Sequence, residues 1–173
     1  MAQFKWNAEN EVFLAPIDAE HRELFRIADE LQNAINRSAP PDQICGFLHA
    51  LGAHLDDHFS GEEELMRSVA YPSFGWHRAQ HDTARRRFQL LVPPIEAGDP
   101  QAAQLLLDFL AGWLQDHTTL TDKMLASFVR NYQRTHAKSS GSEESEAGRS
   151  GGRAQGPSKR ADVLREHARR HWN

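Results

Sequence analysis

The chain has 173 residues and a net charge of −4, enough for one domain with a sizeable core and a tail but not for two full domains. This charge offers no basic surface for nucleic acid. The lone Cys45 excludes an internal disulfide framework and fits a reducing compartment, and the start of the chain has no apolar run that would make a signal peptide or membrane span. A cytoplasmic protein with a small-molecule or protein partner is expected, and ten histidines are the compositional oddity.

Apolar positions recur at spacings of three and four rather than two, so four amphipathic helices are expected. The first, over 19–37, carries Ile17, His21, Leu24, Ala28, Leu31 and Ile35 on one stripe and stops at the breaker "SAPPD". The second, over 42–68, carries Ile44, Phe47, Leu51, His54 or Leu55, His58, Glu62 and Leu65. The third, over 74–91, carries Phe74, His77, His81, Ala84, Phe88 and Leu91; "VPPIEAGDP" then makes a turn, with Asp99 as helix cap and Pro100 at the first helical position. The fourth, over 101–132, carries Leu106, Leu110, Trp113, His117, Leu120, Met124 and Phe128.

Short connections between such helices describe an all-α, up-down-up-down four-helix bundle over residues 1–136. Residues 137–173 form a tail in this reading. The stretch 138–158 lacks any large apolar side chain and is expected to be a flexible linker. Residues 159–173 could form at most a short basic helix with Val163, Leu164, Ala168 and Trp172 near one side, a candidate docking segment for a protein partner; a frayed end is the plainer expectation.

Each stripe is apolar except where a histidine sits in it: His21, His58, His77, His81 and His117. Any one of them alone reads as a satisfied core residue. Together they do not, because a buried polar group without a partner costs about 1 to 3 kcal/mol, and the set would consume roughly the whole 5 to 15 kcal/mol of a domain's stability. Imidazoles converging from four helices are compensated most directly by metal coordination. His58 with Glu62 and His77 with His81 are one-turn pairs able to reach a common site. Asp122 follows His117 by five residues, about 140° around an ideal helix, so α-helical geometry alone does not pair them. Five imidazoles and two carboxylates exceed the needs of one tetrahedral zinc and suit two carboxylate-bridged iron ions.

The segments "IDAEHRELF", "HFSGEEELM", "HRAQH" and "WLQDHTTLTDK" resemble the bacterial hemerythrins, with ligands and spacings in family order over about residues 6 to 130. The resemblance implies two irons with an oxo or hydroxo bridge. His77, His81 and His117 would hold one, His21 and His58 the other, with Glu62 and Asp122 bridging. It further implies reversible dioxygen binding at an open position of the two-histidine iron, for storage, delivery or sensing, in a pocket near Phe59, Trp113, Leu114 and Thr118.

Thr118 stands where the family has isoleucine; a hydroxyl able to hold water predicts faster autoxidation and keeps open an enzyme on the same site, a peroxidase, oxidase, or nitric-oxide or iron-repair protein. A signalling module acting through the tail, and a zinc-loaded or metal-free structural bundle, compete with the oxygen-binding function. His54 is expected as a supporting or partly exposed side chain, and Asp18 as a residue that orients His21.

Overall fold

The computed structural model describes the backbone of residues 4–147 and the side chains of residues 4–136. After an extended segment with a short 3-10 turn at Ala8–Asn10 come α1 (Ala15–Asn36), α2 (Pro41–Ser68), α3 (Phe74–Glu96) and α4 (Pro100–Asp116). A π-helical turn at His117–Thr121 joins α4 to α5 (Asp122–Ala147), and the two run on as the fourth rod. Contacts join α1 to α2, α2 to α3, α3 to α4 and α4 back to α1, which closes the expected bundle.

Three boundaries differ from those the sequence pattern predicts, each for a local reason. The first helix starts at Ala15, because Pro16 sits in its first turn, where a missing N–H costs nothing. The third helix does not stop at Leu91 but runs through Pro93 and Pro94 to Glu96. Leu91 and Ile95 are buried one turn apart, and that burial offsets the ladder bonds the prolines cannot make. The fourth rod continues to Ala147, so the first residues of the expected linker are helical, as extending a formed helix costs little per residue. Residues 148–173, with the rest of that linker and the basic segment, lie outside the described residues.

The core is divided. A larger cluster contains Leu24, Leu31, Leu51, Phe59, Leu106 and Leu114, and a smaller one Val12, Ile17, Leu65, Met66, Leu125 and Val129. Between the two, each rod contributes histidine to one buried polar layer: His21 between Ile17 and Leu24, His58 and Glu62 between Leu55 and Leu65, His77 and His81 from α3, His117 and Asp122 between Leu114 and Leu125.

The expected stripe of the fourth helix is corrected in its second half. Leu120 and Met124 are 58% and 45% exposed, while Thr121, Asp122, Leu125 and Val129 are buried. The π-helical turn inserts one extra residue and thereby rotates everything beyond it relative to a regular α-helix.

Asp99 caps α4 as expected, its Oδ1 accepting from the backbone N–H groups of Gln101 (2.8 Å) and Ala102 (3.3 Å). The turn before it needs Gly98 at φ 88°. A Cβ there would meet nothing within 4 Å, so only the backbone term opposes substitution. Gly98→Ala is expected to lower stability by about 1 kcal/mol, with helix content unchanged; urea unfolding followed by circular dichroism measures it.

Candidate metal centre

Seven side chains meet in the polar layer, all at most 2% exposed: His21, His58, Glu62, His77, His81, His117 and Asp122. They form two overlapping groups whose ligand atoms all lie within 4.8 Å of one another. One is Glu62, His77, His81 and His117; the other is His21, His58, Glu62 and Asp122. Oδ1 of Asp122 lies 3.2 Å from Nε2 of both His77 and His117, while Oδ2 lies 3.1 Å from Nε2 of His21. Oε2 of Glu62 lies 3.1 Å from Nε2 of His77 and 3.3 Å from Nε2 of His81, with Nε2 of His58 at 3.8 Å.

These approaches are close without being hydrogen bonds in most cases. Nε2 of His21, His58, His81 and His117, Oε1 of Glu62 and both oxygens of Asp122 are buried with no hydrogen-bond partner. Buried polar atoms are nearly always paired. Lone pairs that converge on common points rather than on each other's protons are the arrangement a cation satisfies, and imidazole with carboxylate is a donor set for iron or zinc. The donor chemistry fits a metal, and the layer is a metal-binding site.

Two carboxylates that the helical stripes do not pick out fix the rings. Nδ1 of His58 donates to Oε2 of Glu20 at 2.9 Å, and Nδ1 of His81 donates to Oε1 of Glu63 at 3.3 Å. Because a carboxylate only accepts, each bond holds a proton on Nδ1 and directs Nε2 inward. Oε1 of Glu63 also accepts from Arg85 at 2.9 Å. Glu20 precedes His21 and Glu63 follows Glu62, so each falls just off the ligand stripe. Only knowledge of which helices are neighbours reveals their partners. Asp18 does not orient His21; its Oδ1 accepts from the backbone N–H of Val12 at 2.8 Å. His54 is half-exposed, 3.8 Å from Glu23.

Asp122 reaches the layer because of the π-helical turn. Its backbone N–H bonds to the carbonyl of His117, five residues back, so residues 117 and 122 lie on the same face after one wide turn. A regular α-helix would not pair them, as expected from the sequence; the wide turn supplies the pairing that the sequence pattern did not reveal.

The residues expected around an oxygen pocket are all near the layer, on different sides. Phe59 stacks on His81 (centroids 4.2 Å apart, 13° between planes) and Trp113 stacks on His117 (4.3 Å, 21°). Both wall the three-histidine group. Leu114 and Thr118 are buried. Next to His21 lies Trp6, with ring centroids 6.0 Å apart, from an N-terminal segment to which the sequence pattern gives no role. The Thr118 hydroxyl donates to the carbonyl of Leu114 (2.9 Å) and accepts from Nδ2 of Asn10 (3.0 Å). It is therefore not the free water-holding group that faster autoxidation would require.

Burial disfavours charge on His58, His77 and His117, but the outcomes diverge. At His58 it is outweighed by the charge of Glu62, the bond to Glu20 and the charge of Asp122, and the pKa rises to about 9. At His77 it is outweighed by the Asp122 and Glu62 carboxylates, again to about 9. At His117 burial dominates and the pKa falls to about 3. Burial also opposes charge on Glu62 and Asp122, yet the surrounding imidazoles hold both carboxyls below their ordinary range.

In metal-free protein near neutral pH, His58 and His77 carry protons that a metal must displace, so loading with ferrous iron should release about two protons per chain. The release should shrink as pH rises through the region of their pKa values; a pH-indicator titration measures it. Deleting Thr119 from the wide turn should leave residues 117 and 122 four apart in a regular helix and so preserve metal stoichiometry. Inserting one alanine after Thr119 should instead turn α5 by about 100° and abolish metal retention; elemental analysis of both variants is the check.

The described residues contain no helix long and apolar enough to cross a membrane. Residues 12–129 match the family model "Hemerythrin HHE cation binding domain". The chain is 27% identical over 124 residues to the bacteriohemerythrin of Clostridium acetobutylicum, covering 69% of this chain and 96% of that protein. It is 29% identical over 114 residues to the bacteriohemerythrin of Aquifex aeolicus (64% and 85%) and 26% identical over 119 residues to the myohemerythrin of Theromyzon tessulatum (69% and 88%). With its four rods, divided core and buried histidine–carboxylate layer, the chain belongs to the hemerythrin HHE cation-binding family.

Proposed function

We propose that the protein binds dioxygen reversibly at a non-heme di-iron centre. The observation that carries this reading is the division of Asp122 between two ligand groups, Oδ1 facing His77 and His117 and Oδ2 facing His21, with Glu62 shared by both. One ion would leave half of these atoms unpaired; two carboxylate-bridged ions use them all. In this reading His77, His81 and His117 would hold one iron and His21 and His58 the other, with Glu62 and Asp122 contributing to both. The second iron would have two histidines where the first has three, and so would have room for a small molecule.

When bound, the iron pair supplies the electrons that hold dioxygen reversibly. The chain's own part is to fix and enclose. Glu20 and Glu63 hold the His58 and His81 rings through their Nδ1–H groups. Phe59 and Trp113 lie flat against His81 and His117 and keep water from that side. The names of the relatives, bacteriohemerythrin and myohemerythrin, support the same reading.

We read the activity as binding rather than turnover, since the Thr118 hydroxyl, which favoured a peroxidase or oxidase, is engaged by Leu114 and Asn10. All seven ligands lie within residues 1–136, to which the oxygen-binding unit is assigned; the segment 137–173 is outside it. A cytoplasmic location belongs to the same reading, on the single cysteine.

Purified protein is expected to contain about two irons per chain, matching its two ligand groups. Reduced anaerobically, it should be nearly colourless, gain visible absorption in air and lose it when oxygen is removed. Permanent oxidation on first exposure with consumption of peroxide would favour the enzyme instead, and iron-free material that fails to take up ferrous ion would overturn the reading.

A further inference from the structure

Asn10 is fully buried although it sits in the 3-10 turn of the N-terminal segment. Its Oδ1 accepts from the backbone N–H of Asn7 at 3.1 Å. Its Nδ2 donates to Oγ1 of Thr118 at 3.0 Å and approaches Oε1 of Gln115 at 3.4 Å. The Thr118 hydroxyl in turn donates to the carbonyl of Leu114 at 2.9 Å. A hydroxyl has one donor and two acceptor sites, so its proton is committed and one of its lone pairs is filled. A trapped water generally needs about two to four polar partners, and this corner, one residue from His117, leaves too few to hold one.

The geometry points to Asn10 as a positioning residue: it saturates the Thr118 hydroxyl and thereby keeps water out of the buried corner beside the metal layer. This inference rests on the oxygen-binding reading and deepens it. It explains how a hydroxyl is carried next to a site that must stay dry. The 3-10 turn holds Asn10 in place through its reciprocal bonds with Asn7, whose own side chain accepts from Glu9 N–H at 2.7 Å.

Removing the carboxamide should reverse the effect. In Asn10→Ala the space it leaves is bordered by Thr118 Oγ1, Gln115 Oε1 and the Asn7 N–H, enough partners for a water. In the double variant Asn10→Leu with Thr118→Val the leucine side chain fills the space and the hydroxyl is gone, so the corner should stay dry.

The test uses the full chain, loaded with iron, in three forms: parent, Asn10→Ala and the double variant. Two readouts are taken, the autoxidation rate in air and a high-resolution crystal structure of each metal-free form. Asn10→Ala should autoxidise about fivefold faster or more, the rate equivalent of one added hydrogen bond, and should show an ordered water on Thr118. The double variant should return to within about twofold of the parent and show no water. An unchanged rate in Asn10→Ala, the absence of the water, or a double variant as fast as the single one would each overturn the proposal, the last by showing that loosened packing is the cause. Should the parent take up no oxygen, the oxygen-binding reading fails, while the water in metal-free Asn10→Ala still decides the role of Asn10.

Discussion

A neutral imidazole has one N–H and one lone pair, and in this protein the N–H groups of His58 and His81 are already given to Glu20 and Glu63. What remains faces inward: Nε2 atoms and carboxylate oxygens, most of them without a hydrogen-bond partner and cut off from water. Two apolar clusters close the layer above and below. Protons on His58 and His77 and the 3.1 Å bond between His77 and Glu62 satisfy part of such a set, and a cation satisfies the rest. The bundle owes its divided core to this. Every rod gives up a stretch of its hydrophobic stripe so that the ligands can meet, and metal binding offsets the apolar contact that is lost.

The wide turn at His117–Thr121 follows from the same constraint. A second carboxylate, Asp122, joins Glu62 in the layer, and it comes from the rod that already carries His117. Five residues separate the two in sequence, and only a turn closed by an i→i+5 bond brings both to one face. The extra residue resets the phase of α5, which exposes Leu120 and Met124 and buries Leu125 and Val129 in the smaller cluster. Site geometry and core packing on this rod are set together by one irregularity of the backbone.

Much of this was legible in the sequence, unevenly. The spacing of apolar residues revealed four rods, and the histidines interrupting them revealed a buried metal layer, because both follow from helical period. The wide turn broke that period. A stripe drawn through Leu120, Met124 and Phe128 assumes 3.6 residues per turn throughout, and nothing in "HTTLT" announces otherwise. Pro93 and Pro94 misled in the opposite sense, since local propensity favoured a break that the burial of Leu91 and Ile95 overrides. Glu20, Glu63 and Asn10 were out of reach for another reason. Their partners are 38, 18 and 108 residues away, and no local pattern links them.

The walls of the layer are unequal, and the inequality has a physical origin. The three-histidine group is enclosed mainly by helix side chains: Phe59 and Trp113 lie flat on His81 and His117 and meet edge to face, with Arg85 over the Phe59 ring and bonded to Glu63, while Tyr71 of the α2–α3 connection lies edge-on to His77. Phe59, Trp113 and Arg85 are each fixed by a helix packed on its neighbours. The two-histidine group is enclosed differently. Glu20, which holds His58, is partly exposed, and Trp6, beside His21, comes from a segment with one short turn, steadied by Arg22 over its ring. That segment is held by Phe4 and Val12, buried one in each apolar cluster, by Trp6 against Phe25, and by polar contacts of Asp18 and Arg130 to Val12, Glu11 to Arg22, and Asn10 to Thr118. The two walls therefore differ in what carries them, stacked helix side chains on one side and an N-terminal segment strapped across α1 on the other.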